Sequence, residues 1–182
     1  MSRAADGAEK GSPPCSGSAA GELPGADAQV LPDTGLVIAA GGSGTRYGDS
    51  RPKLLEDLGG LPVFLHCLRT LCPCVPADAV VLVVSAALRE PMASALARTA
   101  WARSVRLVDG GATRAESVLR GLLALPPRLR FAAVQDAARP LTGADLLRRC
   151  VVSARERGSG VAARALTDPI KEIGRAAGRE RG

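Results

Sequence analysis

Residues 36–53, LVIAAGGSGTRYGDSRPK, limit what this chain can fold into more than any other stretch. The run Leu36, Val37, Ile38, Ala39, Ala40 has no polar interruption, which suits a strand covered on both faces of a parallel sheet. It ends abruptly at Gly41, Gly42 and Gly44, where the missing side chains let backbone N–H groups approach an anion closely. Arg46, Arg51 and Lys53 supply positive charge just beyond. A strand, a glycine turn, then an arginine and a lysine form the layout expected where a triphosphate is held and its charge neutralised during displacement. Taken alone, the same loop also fits a flexible linker with solvated cations. It is not a P-loop, because no Gly-Lys-Ser/Thr closes it, and it lacks the G-x-G-x-x-G spacing of dinucleotide folds.

The rest of the chain alternates between two periodicities. Residues 54–60 read as a turn-bearing segment ended by Gly59 and Gly60. From Pro62, which suits a first helical turn, Phe64, Leu65, Leu68, Leu71 and Cys72 recur at helical intervals. Residues 79–85, AVVLVVS, read as a β-branched strand, followed by a helix over about 88–101 and a short strand over 105–108. Asp109, Gly110 and Gly111 make a turn. Thr113-Arg-Ala-Glu116 is then a capping-box pattern before a helix expected to bury Val118, Leu119, Leu122 and Leu123. A strand over 130–135 ends at Asp136-Ala-Ala-Arg-Pro140. Thr142 is expected to cap the helix carrying Leu146, Leu147, Cys150 and Val151, and 160–166 to begin a further strand.

Such alternation implies βαβ units, an α/β fold with a mainly parallel sheet and helices on both faces. Ligands in these sheets sit beyond the carboxyl ends of the strands. The polar clusters at 41–53, 109–117 and 135–140 all follow strands, so they are expected to converge on one edge.

Composition narrows the function classes. Aromatics are only 2% of the chain, which leaves no stacking platforms for single-stranded nucleic acid. The net charge of +6 comes from scattered basic residues, mostly arginine, so a small phosphorylated substrate accounts for it as well as a polyanion does. The five cysteines are odd in number and show no C-x-x-C pair; Cys67, Cys72 and Cys150 fall on apolar helical positions and read as small hydrophobes. No stretch reaches transmembrane length and no apolar run begins the chain, so a reducing, cytoplasmic setting without membrane contact is expected. Residues 1–34, rich in Ala, Gly, Ser and Pro, read as a disordered extension, 35–171 as the folded domain, and 172–182 as a non-native or disordered tail.

With a nucleotide at the shared edge, the loop from Gly42 to Arg46 can wrap phosphates and Lys53 can reach the α-phosphate as charge builds there. Asp136 can take a divalent metal or a sugar hydroxyl, or simply cap the turn. Arg139 can bind substrate phosphate or pair with Asp136. Ser117, in the first turn after Gly111, can hydrogen-bond a base or be a plain surface serine.

Ala39-Ala-Gly-Gly-Ser-Gly-Thr-Arg46 with Pro52-Lys53, Asp109-Gly-Gly with Arg114-Ala-Glu-Ser-Val118, and Asp136-Ala-Ala-Arg-Pro140 together resemble the 2-C-methyl-D-erythritol 4-phosphate cytidylyltransferases over residues 36–171. The resemblance implies a Rossmann-like nucleotidyltransferase fold and transfer of CMP from CTP to 2-C-methyl-D-erythritol 4-phosphate, with magnesium and release of diphosphate, in non-mevalonate isoprenoid synthesis. It implies that Arg46 and Lys53 are the catalytic basic pair and that Ala40, Gly41, Gly42 and Gly44 line the nucleotide. By the same likeness, Gly111 and Ser117 fall where cytosine is read. Asp136 and Ala137 match ribose and metal-side positions, and Arg139 and Asp168 the polyol phosphate side.

Several positions depart from the family pattern: Ala39 stands for proline, Gly41 for alanine, Ala112 for an acid, Gln135 for histidine and Pro169 for threonine. Family members are homodimers that continue past the position of Lys171 with a protruding dimer arm, and that arm has no counterpart here. The runner-up readings are a ribitol 5-phosphate cytidylyltransferase, which Ala138 disfavours, and a catalytically silent nucleotide-binding module.

Overall fold

The computed structural model describes residues 30–41 and 52–165. Four strands, β1 (Thr34–Ala40), β2 (Val80–Val84), β3 (Arg106–Asp109) and β4 (Phe131–Asp136), form one sheet in the order β3-β2-β1-β4, every pair parallel. Each strand is followed by a helix: α1 (Val63–Leu71), α2 (Ala86–Ala97), α3 (Arg114–Leu123) and α4 (Ala144–Arg157). The chain moves outward from β1 to β3 and then returns across the sheet to place β4 on the other side of β1. That reversal creates a switch point between the carboxyl ends of β1 and β4.

The period of two along β1 and β2 divides the core. Leu36, Ile38, Val80, Leu82 and Val84 face one side, with Phe64, Leu68, Met92, Leu147 and Val151 from α1, α2 and α4 packed against them. Val37, Val81 and Val83 face the other, against Val108, Ala124 and Leu125. β2 is buried along its whole length, as its β-branched run predicts. The helix on the second face does not use the residues its leucines suggest. Leu119 and Leu123 are 54% and 77% exposed, Leu122 is exposed as well, and α3 instead buries Ser117 and Gly121. A Cβ on Gly121 would lie 2.5 Å from Val37 Cγ1 and 2.7 Å from Val83 Cγ2, so the absent side chain is what lets the helix lie this close to the sheet.

Four further expectations are corrected. Residues 160–165 form no strand; they follow α4 without pairing to β4, Val161 is 86% exposed, and no strand among the described residues lies beyond β4. Thr142 does not cap α4: its hydroxyl accepts from Gln135 Nε2 at 2.9 Å, and the N-cap is Gly143. The second helix stops at Ala97 rather than near Trp101, because Thr99 Oγ1 donates to the Ala95 carbonyl and Thr99 N to that of Leu96. Leu31–Thr34, read as the end of the extension, belong to the domain. Leu31 is buried and Leu31 N donates to the Cys74 carbonyl at 2.7 Å.

Asp33 ties three elements at the amino edge of the sheet. Its carbonyl accepts from Arg130 N and Phe131 N at 2.9 and 3.1 Å, and its carboxylate accepts from Arg155 of α4 at 2.6 Å. The Arg155 bond holds the Asp33 carboxyl below its ordinary 3.8. A depressed folded-state pKa contributes stability above 3.8 and loses it as pH falls through the lower, folded value. Asp33→Asn is therefore expected to lower stability at neutral pH and to flatten its decline in that acid range, measured by urea unfolding across pH. Gly121→Val is expected to cost about 1–3 kcal/mol by forcing α3 off Val37 and Val83, in the same assay at neutral pH.

Candidate active site

The parallel register aligns the carboxyl ends of all four strands. Ala39 lies opposite Asp136, Ala40 opposite Val84, and Val84 opposite Asp109. The turns beyond are anchored by backbone bonds: Gly110 N donates to the Val84 carbonyl at 2.8 Å, and Ala137 N to that of Ala39 at 3.0 Å. Ala40 and Ala137 are buried beneath this rim. Gly41 and the second and third polar clusters therefore meet. A Cβ on Gly41 would lie 3.5 Å from Ser117 Oγ, and Arg114 from the second cluster reaches Asp136 in the third at 2.7 Å. Lys53 opens a short 3-10 turn, Lys53–Leu55, and is exposed. Gly42, Gly44, Arg46 and Asp168 lie outside the described residues.

Ser117 holds the turn together. Its hydroxyl accepts from Gly111 N at 2.9 Å and donates to the Thr113 carbonyl at 2.9 Å, and the residue is buried. A hydroxyl has one proton, so the donor is committed to the chain, and one lone pair at most faces outward. Glu116 completes the cap. Glu116 N donates to Thr113 Oγ1 at 3.1 Å, while Glu116 Oε2 accepts from Ala112 N at 2.9 Å and Oε1 from Arg120 Nη2 at 2.5 Å. Arg120 Nη1 also donates to the Gly110 carbonyl at 2.9 Å. The Ala112 N–H bond, and next the Arg120 guanidinium, hold the Glu116 carboxyl below its ordinary range.

Asp136 sits between two guanidinium groups, Arg114 at 2.7 Å and Arg139 at 3.3 Å, both well exposed. Of the two sequence readings of Arg139, the ion pair with Asp136 is the one present. Arg89 on α2 likewise pairs with Asp109 at 2.5 Å. From Arg114, Asp136 and Arg139 a cleft of about 640 Å³ runs along the outer edge of β4, past Val134 to Leu146 and Leu147 of α4. Cys67 and Cys72 are pushed up to about 12, in both cases chiefly by burial, which fits their reading as hydrophobes. Among the described residues no three His, Cys, Asp or Glu gather as a metal site, and no helix is long and apolar enough to cross a membrane.

Sequence reasoning named Asp136 and Arg139 but missed that Arg114 joins them, and it gave Glu116 only a capping role. The i,i+4 spacing of Glu116 and Arg120 was the available signal for their pair. Nothing in the sequence links Arg89 to Asp109 or Arg114 to Asp136.

A parallel sheet with a β1/β4 switch point, glycine turns on its carboxyl rim and arginines paired there defines an α/β fold of the nucleotidyltransferase class. Residues 34–178 match the family model described as IspD, 2-C-methyl-D-erythritol 4-phosphate cytidylyltransferase, and the chain belongs to that family. Among curated relatives, the bifunctional enzyme IspD/IspF of Desulfotalea psychrophila is 36% identical over 146 residues, covering 79% of this chain and 36% of the relative. The 2-C-methyl-D-erythritol 4-phosphate cytidylyltransferase of Carboxydothermus hydrogenoformans is 35% identical over 140 residues, covering 76% of this chain and 60% of the relative. The chain thus spans between about a third and three-fifths of the length of these relatives. In fold, it is similar to the crystal structure of 4-diphosphocytidyl-2C-methyl-D-erythritol synthase from Anaerococcus prevotii. That likeness has a TM-score of 0.54 at 24% identity, over 71% of this chain and 53% of that one.

Ser117→Ala removes the acceptor for Gly111 N and the donor to Thr113. It is expected to cost about 1–3 kcal/mol in urea unfolding.

Proposed function

We propose that the protein is a cytidylyltransferase that moves CMP from CTP to 2-C-methyl-D-erythritol 4-phosphate and releases diphosphate. The observation that carries this reading is the meeting of the Gly41, Gly111–Ser117 and Asp136–Arg139 clusters on one rim, in a chain of this family. In this reading Ala40, Gly41, Gly42 and Gly44 line the triphosphate, and Gly111 and Ser117 form the floor under the base, Ser117 by holding the turn. Asp136 and Ala137 flank the ribose. Arg139 and Asp168 face the polyol phosphate, whose place we assign to the cleft beside β4.

Arg46 and Lys53 neutralise charge at the attacked phosphorus as the acceptor phosphate displaces diphosphate. Such a displacement needs positioning and charge compensation more than covalent catalysis by the protein. The ion pairs of Arg114 and Arg139 with Asp136 are exposed and therefore weak, so a phosphate can draw either guanidinium away at little cost.

The donor chemistry fits magnesium. Asp136 offers a hard carboxylate at the rim, and this ion is commonly bound by one or two carboxylates together with substrate phosphates. When bound there, magnesium would neutralise phosphate oxygens. The free thiols of Cys67, Cys72, Cys74 and Cys150 support a cytoplasmic setting.

Diphosphate release from CTP, magnesium and 2-C-methyl-D-erythritol 4-phosphate is the test, run on this chain and on a version carrying the C-terminal portion of a longer relative. Release with ribitol 5-phosphate instead, or CTP binding without release in both versions, rejects the proposal. In the active version, Arg46→Ala and Lys53→Ala are each expected to lower kcat by about a hundredfold or more; an unchanged rate removes that residue from the mechanism.

A further inference from the structure

We infer that His66 is a positioning residue for the transfer, fixing through Leu58 the loop that carries Lys53. The inference rests on the function proposed above, in which Lys53 neutralises charge at the attacked phosphorus. His66 is the chain's single histidine and stands half-buried on α1. Its Nε2 lies 2.6 Å from the Leu58 carbonyl oxygen, and Arg69 Nη2 lies 3.3 Å from its Nδ1. A guanidinium only donates and a carbonyl only accepts, so one protonation state satisfies both contacts. Nδ1 is bare and accepts from Arg69, and Nε2–H donates to Leu58. Arg69 thereby fixes the tautomer that can hold the loop.

Leu58 lies where the loop most needs holding. Residues 56–60 are all exposed, and Gly59 and Gly60 turn the chain back at φ of 64° and 86°. Gly60 N donates to Asp57 Oδ1 and Leu58 N to the Leu61 carbonyl, each at 2.9 Å; these bonds shape the tip without attaching it to a helix or strand. Two ties attach it to α1. Val63 N donates to the Glu56 carbonyl at 3.0 Å, and His66 donates to that of Leu58. Among the described residues, His66 is the only side chain outside the loop that hydrogen-bonds to it. One tie makes a pivot; a second, at Leu58, fixes the direction of the loop. Lys53 is on the same piece of chain. Its carbonyl accepts from Glu56 N at 3.3 Å, and that of Pro52 from Leu55 N at 2.8 Å, so the 3-10 turn opened by Lys53 runs directly into the pivot residue. Buried Leu54 sets the depth of this turn, and the loop sets the direction in which it presents Lys53. A lysine carries its charge on a flexible four-carbon stem, so its ammonium is preorganised only as far as the backbone beneath it is.

Deuterium exchange of the full chain, and a double-mutant cycle in the active version, test this. His66→Ala is expected to speed exchange of the Leu55 and Glu56 amides, whose bonds close the Lys53 turn. It is expected to lower kcat for diphosphate release about tenfold to a hundredfold, the scale of a misplaced reacting group, with KM for CTP little changed. In a Lys53→Ala background the same substitution is expected to leave kcat nearly unchanged, since the two residues act as one unit. His66→Gln, whose side-chain amide can still donate to Leu58, is expected to recover much of the rate. Should His66→Ala fail to fold by circular dichroism, His66→Phe keeps a ring and lacks the donor, and the same outcomes are expected of it. Equal losses of rate in both backgrounds show a purely structural role and overturn the inference. Unchanged exchange at Leu55 and Glu56 overturns it too, and both results leave the transfer reaction standing. Absence of diphosphate release from the unsubstituted protein overturns both readings.

Discussion

The carboxyl ends of β1 and β2 each hold the backbone of a turn that belongs to a different strand. Val84 accepts from Gly110 N and Ala39 accepts from Ala137 N, so β2 carries the turn after β3 and β1 carries the turn after β4. These two bonds continue the parallel ladder by one residue beyond each pair. Everything on the rim inherits its position from them: Gly111 and Ser117 from the first, Asp136 and Arg139 from the second. Because β1 and β2 beneath are buried, the rim rests on the core of the sheet.

The helix α3 turns that backbone frame into a site. Its first turn is fastened to the glycine turn by Ser117 and Glu116, and its third turn lies on Val37 and Val83 at Gly121. One glycine thus sets the distance between helix and sheet, and with it where the Glu116 carboxylate and the Arg114 guanidinium stand. The cost is an apolar stripe, Leu119, Leu122 and Leu123, left facing outward.

The charges on the rim come in pairs, Arg114 and Arg139 with Asp136, Arg89 with Asp109, Arg120 with Glu116. Paired but exposed, they cost little to rearrange. Guanidinium groups suit this arrangement because each can exchange a carboxylate for a phosphate with the same fork of donors. The Glu116–Arg120 pair differs, since further bonds to Ala112 and Gly110 fix both partners.

The strands were legible because their signals are local. The apolar runs at 36–40 and 79–85 could hardly be anything but buried strands, and each has its observed place within a residue or two. That Gly41 shares one edge with the second and third clusters also followed from sequence, since in a parallel alternation every loop after a strand lies on the same side. What sequence could not reach was which face a helix turns to the sheet when a glycine outranks three leucines, whether 160–165 finds a strand to pair with, and which of several arginines meets each carboxylate. Those depend on distances between elements, such as the approach of Gly121 to Val37 and the span from Arg114 to Asp136, which exist only once the sheet has closed. Sequence therefore determined the layers and the edge on which the polar clusters lie, because periodicity and connectivity act within or between neighbouring segments. Tertiary packing alone decided the partners on that edge, because contact between residues far apart in the chain is a property of the folded distances and not of the order of residues.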